Sequence, residues 1–397
     1  MSVNNLTFNQ LATVLNTIVH QATGATTLTP TNTAEFVSVG TTGIAGGLDP
    51  MFNALTQMLG RTIFANRPYS RRFKGIEVDG QRWGYITRKI SVADRDFDND
   101  PSYTLTDGGT VDPWAIKKAK VIEEKFYGQN VWDDQLTVPV VQLRSAFTNP
   151  ADFAALLDLL TTNMQDRMEQ ALENGARAAL ANYIGGIVAG GSSLENGRLI
   201  HLLTEYNTET GLTLTNITVN QPANFASFMR WAYARIAMVS DAMRERTGLY
   251  HTQLTNMPIM RHTPAEDQRL FVFSPNRHKM DATVLSTTFN DQYLAQPYTE
   301  SVNFWQAIDT PDTIEVFPSY LTASGTITEV PSSGTAITQD KIFAVLCDRD
   351  ALGVTRFDES MLNSPLNPRG QYYNVFYHQV VRWWNSFTEN FVVFLLD

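Results

Sequence analysis

Asp94, Asp96, Asp98 and Asp100 occupy every second position of one short stretch, a spacing that opens a calcium loop when the rest of the loop complies. It does not comply here. The sixth position is Asn99, where glycine must make the turn, and the twelfth is Leu105, where a bidentate glutamate must close the shell. The four acids therefore read as solvated or inter-subunit charges. Gly185-Gly186-Ile187-Val188-Ala189-Gly190-Gly191 has the glycines of a phosphate loop without its Gly-Lys-Ser/Thr ending. It also follows a helical pattern where a phosphate loop precedes one, so it reads as a helix stop. The histidines (His20, His201, His251, His262, His278, His378) have no metal-type spacing, and Cys347 is the single cysteine. Cys347 ends the apolar run Ile342–Cys347 and reads as a buried strand thiol. Asp348-Arg349-Asp350 reads as a turn with an Asp–Arg contact, the alternative being a paired-carboxylate site. Trp305, Trp383 and Trp384 could stack sugars in a carbohydrate-active hydrolase, but Trp383 on an alternating strand is expected in the core. No catalytic residue, metal site or cofactor is expected.

Charge is instead sorted by sign along one stretch. Residues 61–90 carry eight Lys/Arg against Glu77 and Asp79, and residues 91–112 carry six Asp against one Arg. Residues 113–125 turn basic again, with Lys117, Lys118, Lys120 and Lys125 against Glu123 and Glu124. Complementary patches of this kind steer association between subunits. The basic run Arg67, Arg71, Arg72, Lys74 is balanced by the acidic stretch, which points to partner docking over phosphate binding. Arg71, Arg72, Lys74, Lys117 and Lys118 are expected to meet acids of a neighbour, and Asp94, Asp96, Asp98 and Asp100 its bases.

The elements that position these charges follow from the pattern. At 397 residues the chain should hold two or three domains of about 150 residues each. A hydrophobic fraction of 43% supports a core, and the net charge of −10 argues against tight wrapping of nucleic acid. One cysteine excludes an intrachain disulfide and fits a reducing or redox-indifferent setting. No run of 18 apolar residues suggests a membrane span, and the N-terminus lacks a signal-peptide pattern.

Residues 1–34 carry no Asp, Glu, Lys or Arg. A helix around Leu11, Val14, Leu15, Ile18 and Val19 is expected, followed by extended chain at Thr26–Thr33 and a Gly-rich hinge at Gly40–Pro50. This arm lies along another subunit or folds back on its own domain. A short helix (51–64) precedes a charged hairpin with strands at Ile76–Ile86 and Ile116–Phe126. Asn149-Pro150 opens a helix whose apolar residues recur every three or four positions from Phe153 to Ile187. As one helix, 150–187 would span about 57 Å, a strut longer than a small domain. A polar Thr/Asn segment (204–221) leads to a helix from Pro222 to about Arg246. Then come a strand at Leu270–Phe273, a helix from Ser274 and strands at Ile314–Phe317 and Ile342–Cys347. An exposed loop (322–338) separates the last two. Tyr373, Val375, Tyr377, Val381 and Trp383 alternate onto one face of a late strand, and Phe391–Leu396 ends the chain. The fold class is α+β.

This order resembles the major capsid protein of tailed bacteriophages, the Hong Kong 97-type fold. The residues that carry the resemblance are the uncharged arm, the charge-segregated loop Arg71–Lys125 and the spine-length helix Pro150–Ile187. With them go the return strand Lys341–Val354, containing Asp348-Arg-Asp-Ala-Leu-Gly-Val354, and the last strand Phe391–Leu396. The resemblance implies an icosahedral shell of hexamers and pentamers around double-stranded DNA. It places an N-terminal arm at 1–60 and an extended β-hairpin loop at 61–128. A peripheral domain falls at 129–200 with 341–397, holding spine helix 150–187, and an axial domain at 201–340. Implied partners are other copies of the chain, a portal and a separate scaffolding protein, since no scaffold-like segment precedes the arm. DNA is faced without sequence-specific binding, and assembly takes place in the host bacterial cytoplasm, leading to the virion. An encapsulin-like nanocompartment shell shares the fold and is the alternative; the carbohydrate-active hydrolase is more remote.

Overall fold

The computed structural model describes residues 7–59, 72–79, 87–94, 107–109, 114, 116, 118–126, 128, 130–158, 164–255, 257–284 and 298–397. The chain opens with helices α1 (Phe8–Thr23), α2 (Thr33–Ala45) and α3 (Leu48–Leu59). Thr7 and Gln10 cap the start of α1, and Gly24, at φ 69°, ends it in the left-handed region. Asn32 caps α2 by accepting the Glu35 N–H at 2.9 Å, while Glu35 reaches back to the Thr31 N–H at 2.7 Å. The expected hinge at Gly40–Pro50 is therefore mostly helix. Its glycines serve close packing, because a Cβ on Gly40 would lie 1.9 Å from the Phe147 carbonyl oxygen. The arm folds back on its own chain: Leu11, Leu15, Ile18, Phe36, Phe52 and Leu55 share a core with Leu143, Phe147, Phe153, Tyr373 and Val375.

Strand β1 (Glu77–Asp79) runs parallel to a late strand. Strands β2 (Thr87–Val92) and β3 (Val121–Phe126) pair antiparallel, Thr87 opposite Phe126 and Val92 opposite Val121. The return strand falls where expected, but the first strand lies at 87–92 and not at Ile76–Ile86, of which 77–79 is the strand β1 and 80–86 lie outside the described residues. Strand β4 (Asn130–Pro139) leads into α4 (Val140–Thr148) and α5 (Pro150–Asp158), where Asn149 Oδ1 accepts the Ala151 N–H. Helix α6 (Met164–Ala189) follows, about 39 Å long at about 1.5 Å per residue. The apolar series read as one stripe serves two cores. Phe153, Leu156 and Leu157 join the core of the N-terminal helices. Leu172, Ala176, Ala179, Tyr183 and Ile187 pack in a second core around α6. Gly185 and Gly186 do not stop α6 but lie within it. A Cβ on Gly185 would meet Val316 Cγ2 at 2.5 Å, so the glycines let a strand pass close to the helix. The stop comes at Gly190-Gly191, where Gly191 has φ 60°.

Helix α7 (Ser192–Glu195), β5 (Leu199–His201) and α8 (Leu202–Thr210) follow, so part of the polar segment at 204–221 is helix. Helix α9 (Pro222–Ala242) precedes β6 (Gln268–Phe273), α10 (Ser274–Val284) and β7 (Tyr298–Val302). The segment expected as exposed loop contains short strands. β8 (Ile314–Val316) pairs with β11 (Ile337–Gln339), and β9 (Ser319–Leu321) pairs with β10 (Ile327–Glu329). Strands β12 (Ile342–Asp348), β13 (Leu352–Asn363), β14 (Tyr372–Asn385) and β15 (Phe391–Leu395) complete the chain.

Two main sheets result. The first has the order β1-β13-β14-β4 and the second β5-β15-β12-β6-β7. Strands β12 and β15 are buried along their whole length because both faces of the second sheet are covered. Val345, Cys347, Phe391, Val393 and Leu395 face the α6 core, while Phe343, Leu346, Val392 and Phe394 face a third core with α8 and α9. The expected boundary at 340/341 thus falls inside one sheet, which joins β6 and β7 to β12 and β15. Cys347 is buried as expected, and burial pushes its thiol pKa well above the ordinary value. Trp383 is only partly covered: it lies beside Gly175 of α6 and 6.1 Å from the Trp132 ring but lines an open groove and is 39% exposed. Arg382, on the opposite face, is buried and donates to the carbonyls of Gly128 and Phe126.

Candidate assembly surface

The β2–β3 ribbon has two unlike faces. Side chains alternate along a strand, so Lys89, Ser91, Ile122, Glu124 and Phe126 turn inward while Arg88, Ile90, Val92, Val121, Glu123 and Lys125 turn outward. The inner face is bonded to the body, largely to the loop between β14 and β15. Lys89 Nζ donates to Ser386 Oγ at 2.9 Å and pairs with Glu389 at 2.5 Å. Ser386 Oγ donates to Glu124 Oε2 at 2.7 Å. Arg261 pairs with the same Glu389 at 3.2 Å and donates to Ser91 Oγ at 2.7 Å. Ile122 rests on the α6 core, and the Phe126 ring lies 5.0 Å from that of Trp384.

The outer face is left to solvent. Ile90, Val92 and Val121 are 66%, 57% and 56% exposed, and Trp114 and Ile116, ahead of β3 in the chain, are also exposed. Three apolar side chains side by side on a two-stranded ribbon, flanked by Arg88, Glu123 and Lys125, make an interface of mixed character.

The expected contact residues divide into three groups. Arg71, Asp96, Asp98, Asp100 and Lys117 lie outside the described residues. Arg72, Lys74 and Lys118 are exposed, and no ion pair joins their side chains to a described residue. Asp94 is held by its own chain: its carboxylate bonds the Arg246 guanidinium and the Met260 N–H, and its N–H donates to the Pro258 carbonyl at 2.9 Å. It thereby pins the ribbon where it leaves the body.

The residues missed from sequence are Lys89, Arg261, Ser386 and Glu389. Alternation could have marked Lys89 as inward-facing, but nothing local links it to a glutamate 300 positions later.

The chemical alternatives find no support among the described residues. A groove of about 750 Å³ is lined by Trp383, Trp384, Phe317 and Ile327, but no carboxylate is among its lining residues. Trp305 is buried and donates from Nε1 to the Ile342 carbonyl at 3.0 Å. Asp348 accepts from Thr263 and from the Asp350 N–H, shaping a turn, and burial pushes its pKa upward. No group of three or more His, Cys, Asp or Glu among the described residues could hold a metal, and no described helix is long and apolar enough to cross a membrane.

A family model for the Phi29-like phage major capsid protein matches residues 15–395. The chain belongs to that family. This membership decides for a phage shell over the nanocompartment alternative. The capsid protein is similar to a chain of the Staphylococcus phage Andhra capsid structure, at 12% identity and TM-score 0.57, covering 85% of this chain and 87% of that one. It is similar to a chain in the structure of head fiber and inner core protein gp22 of native bacteriophage P68, at 11% identity and TM-score 0.56, with coverages of 85% and 87%. No curated protein matches. The fold is of the Hong Kong 97 type, and the capsid protein is a major capsid protein of a tailed bacteriophage, a component of the virion.

Proposed function

We propose that the capsid protein closes into hexamers and pentamers of an icosahedral shell around double-stranded DNA, with the 61–128 loop laid over a neighbouring subunit. The observation that carries this reading is the outer face of the ribbon, where Ile90, Val92 and Val121 stand exposed beside charged side chains. A neighbour covering that face removes apolar area from water, and the charges set its register. The N-terminal helices, 129–200 and 341–397 serve as the peripheral part, and 201–340 as the axial part, the five-stranded sheet tying the two together. The protein acts without catalysis. A separate scaffolding protein and a portal take part, assembly proceeds in the host bacterial cytoplasm, and the interior faces DNA without reading its sequence.

The test is charge reversal at the loop, Arg71→Glu with Arg72→Glu. Single exposed pairs contribute only about 0.2–1 kcal/mol, but many copies in a closed shell act together. Wild-type protein, with its assembly partners, should give megadalton particles or rings by light scattering and negative-stain imaging. The double variant should stay folded and unassembled. Normal shells from the variant would refute the loop assignment. Shells from wild-type chain expressed alone would remove the need for a separate scaffold.

A further inference from the structure

The chain enters the body ahead of the ribbon through one narrowly determined point. Two successive N–H groups donate to two different carboxylates: Arg72 to Glu173 Oε2 at 2.9 Å and Phe73 to Glu300 Oε1 at 2.7 Å. Glu173 stands on α6 and Glu300 on β7, so the long helix and the edge of the five-stranded sheet grip the chain together. Arg177, one turn after Glu173, donates to Glu173 Oε1 at 2.5 Å and to the Phe304 carbonyl. Its guanidinium lies 5.0 Å from the centre of the Phe73 ring and 3.7 Å from that of Phe304. The Phe73 ring is buried, 5.2 Å from Phe271.

Phe73 has φ 63° and ψ 31°, the left-handed region that phenylalanine avoids. A side-chain-bearing residue there is disfavoured by about 1–2 kcal/mol and persists only where its surroundings over-determine it. Here the surroundings are the two carboxylates and the buried ring. The cluster has two carboxylates around one buried guanidinium, and Glu300 Oε2 and Arg177 Nε are both buried without a hydrogen-bond partner. Buried carboxylate oxygens are unfavourable unless they capture donors, and Glu173 Oε2 and Glu300 Oε1 capture the two main-chain N–H groups.

Downstream, β1 is joined to β13 over only three residues, Glu77–Asp79 opposite Val354–Arg356. So short a parallel pairing is weak by itself. We infer that Glu173, Arg177 and Glu300 form a clamp that holds β1 on the sheet and thereby fixes the ribbon root, with left-handed Phe73 as the residue that swings when the clamp opens. Open, Phe73 relaxes to the extended region, β1 leaves β13 and the ribbon loses its anchorage at that end. The closed clamp is a catch that presets the ribbon before a neighbour arrives.

The test is native-state hydrogen exchange on the unassembled full-length chain, so its failure leaves the shell reading untouched. Glu300→Ala should speed exchange about tenfold or more over 72–79 and over β2 and β3, as loss of one charged acceptor implies. Exchange in β15 should stay unchanged. Glu300→Gln keeps an oxygen for the Phe73 N–H and should restore most of the protection. If Glu300→Ala does not fold, Glu173→Ala, which removes the acceptor of the Arg72 N–H, is read at the same amides with the same expectation. Unchanged rates at 72–79, or a uniform rise that includes β15, would overturn the clamp.

Discussion

Lys89 on the ribbon and Glu389 in the loop before the last strand meet at 2.5 Å, with both side chains mostly out of solvent. Glu389 also holds Arg261, so one carboxylate joins the ribbon, the 251–263 segment and the C-terminal strands. Removing it leaves two cations without their partner in a sheltered place. Glu389→Ala should therefore lower stability by about 2–3 kcal/mol, somewhat below the figure for a fully buried pair. In a cycle with Lys89→Met the two effects should couple by about 1 kcal/mol in denaturant unfolding. Strict additivity would mean that the ribbon is not tied to the body here.

His251 sets a pH dependence. The ring is buried, with Nδ1 3.0 Å from Asn390 Oδ1 and Nε2 2.8 Å from Gln253 Nε2. A neutral ring carries one N–H, which donates either from Nδ1 to Asn390 Oδ1 or from Nε2 to the Ile259 carbonyl 2.9 Å away. Burial is the main reason its pKa lies below the ordinary value; Arg261 and Arg198 add to it, while hydrogen bonds to Ile259 and Asn390 oppose it. The unfolded chain protonates this histidine at about pH 6.5, before the folded chain does. Its contribution is thus complete above about pH 6.5 and is lost as pH falls toward the folded value. The melting temperature should fall more between about pH 7.5 and 5.5 in wild type than in His251→Gln. Parallel profiles would rule out His251 as the source.

Gly185 can be tested by adding one methyl group. Alanine is the better helix former by about 1 kcal/mol, yet its Cβ would sit 2.5 Å from Val316 Cγ2 and 3.3 Å from Pro318 Cγ. Overpacking by about 1–3 kcal/mol should outweigh the propensity gain. Gly185→Ala should lower the melting temperature, and Val316→Ala added to it should recover part of the loss. A more stable single variant would show that β8 can move away from α6.

The sequence by itself determined the elements whose signal is local. The α9 stripe, the apolar runs of β12 and β15 and the capped start of α5 follow from residues within a few positions of one another. Charge sorting marked the hairpin, and the order of parts pointed to the capsid fold.

The tertiary structure decided what depends on partners far along the chain. Gly40 and Gly185 read as hinge and stop because glycine suits both turning and close contact, and only the packed neighbours Phe147 and Val316 distinguish the two. Asp94 read as a solvated or inter-subunit acid because Arg246 lies about 150 positions away. The stripe from Phe153 to Ile187 read as one face because periodicity reports which side of a helix is apolar, not which core receives it. Trp383 read as core because alternation gives the face of a strand residue, not the open groove that α6 leaves over that face. Long-range bonds of this kind form between groups brought together only by the completed fold, and local spacing carries no record of them.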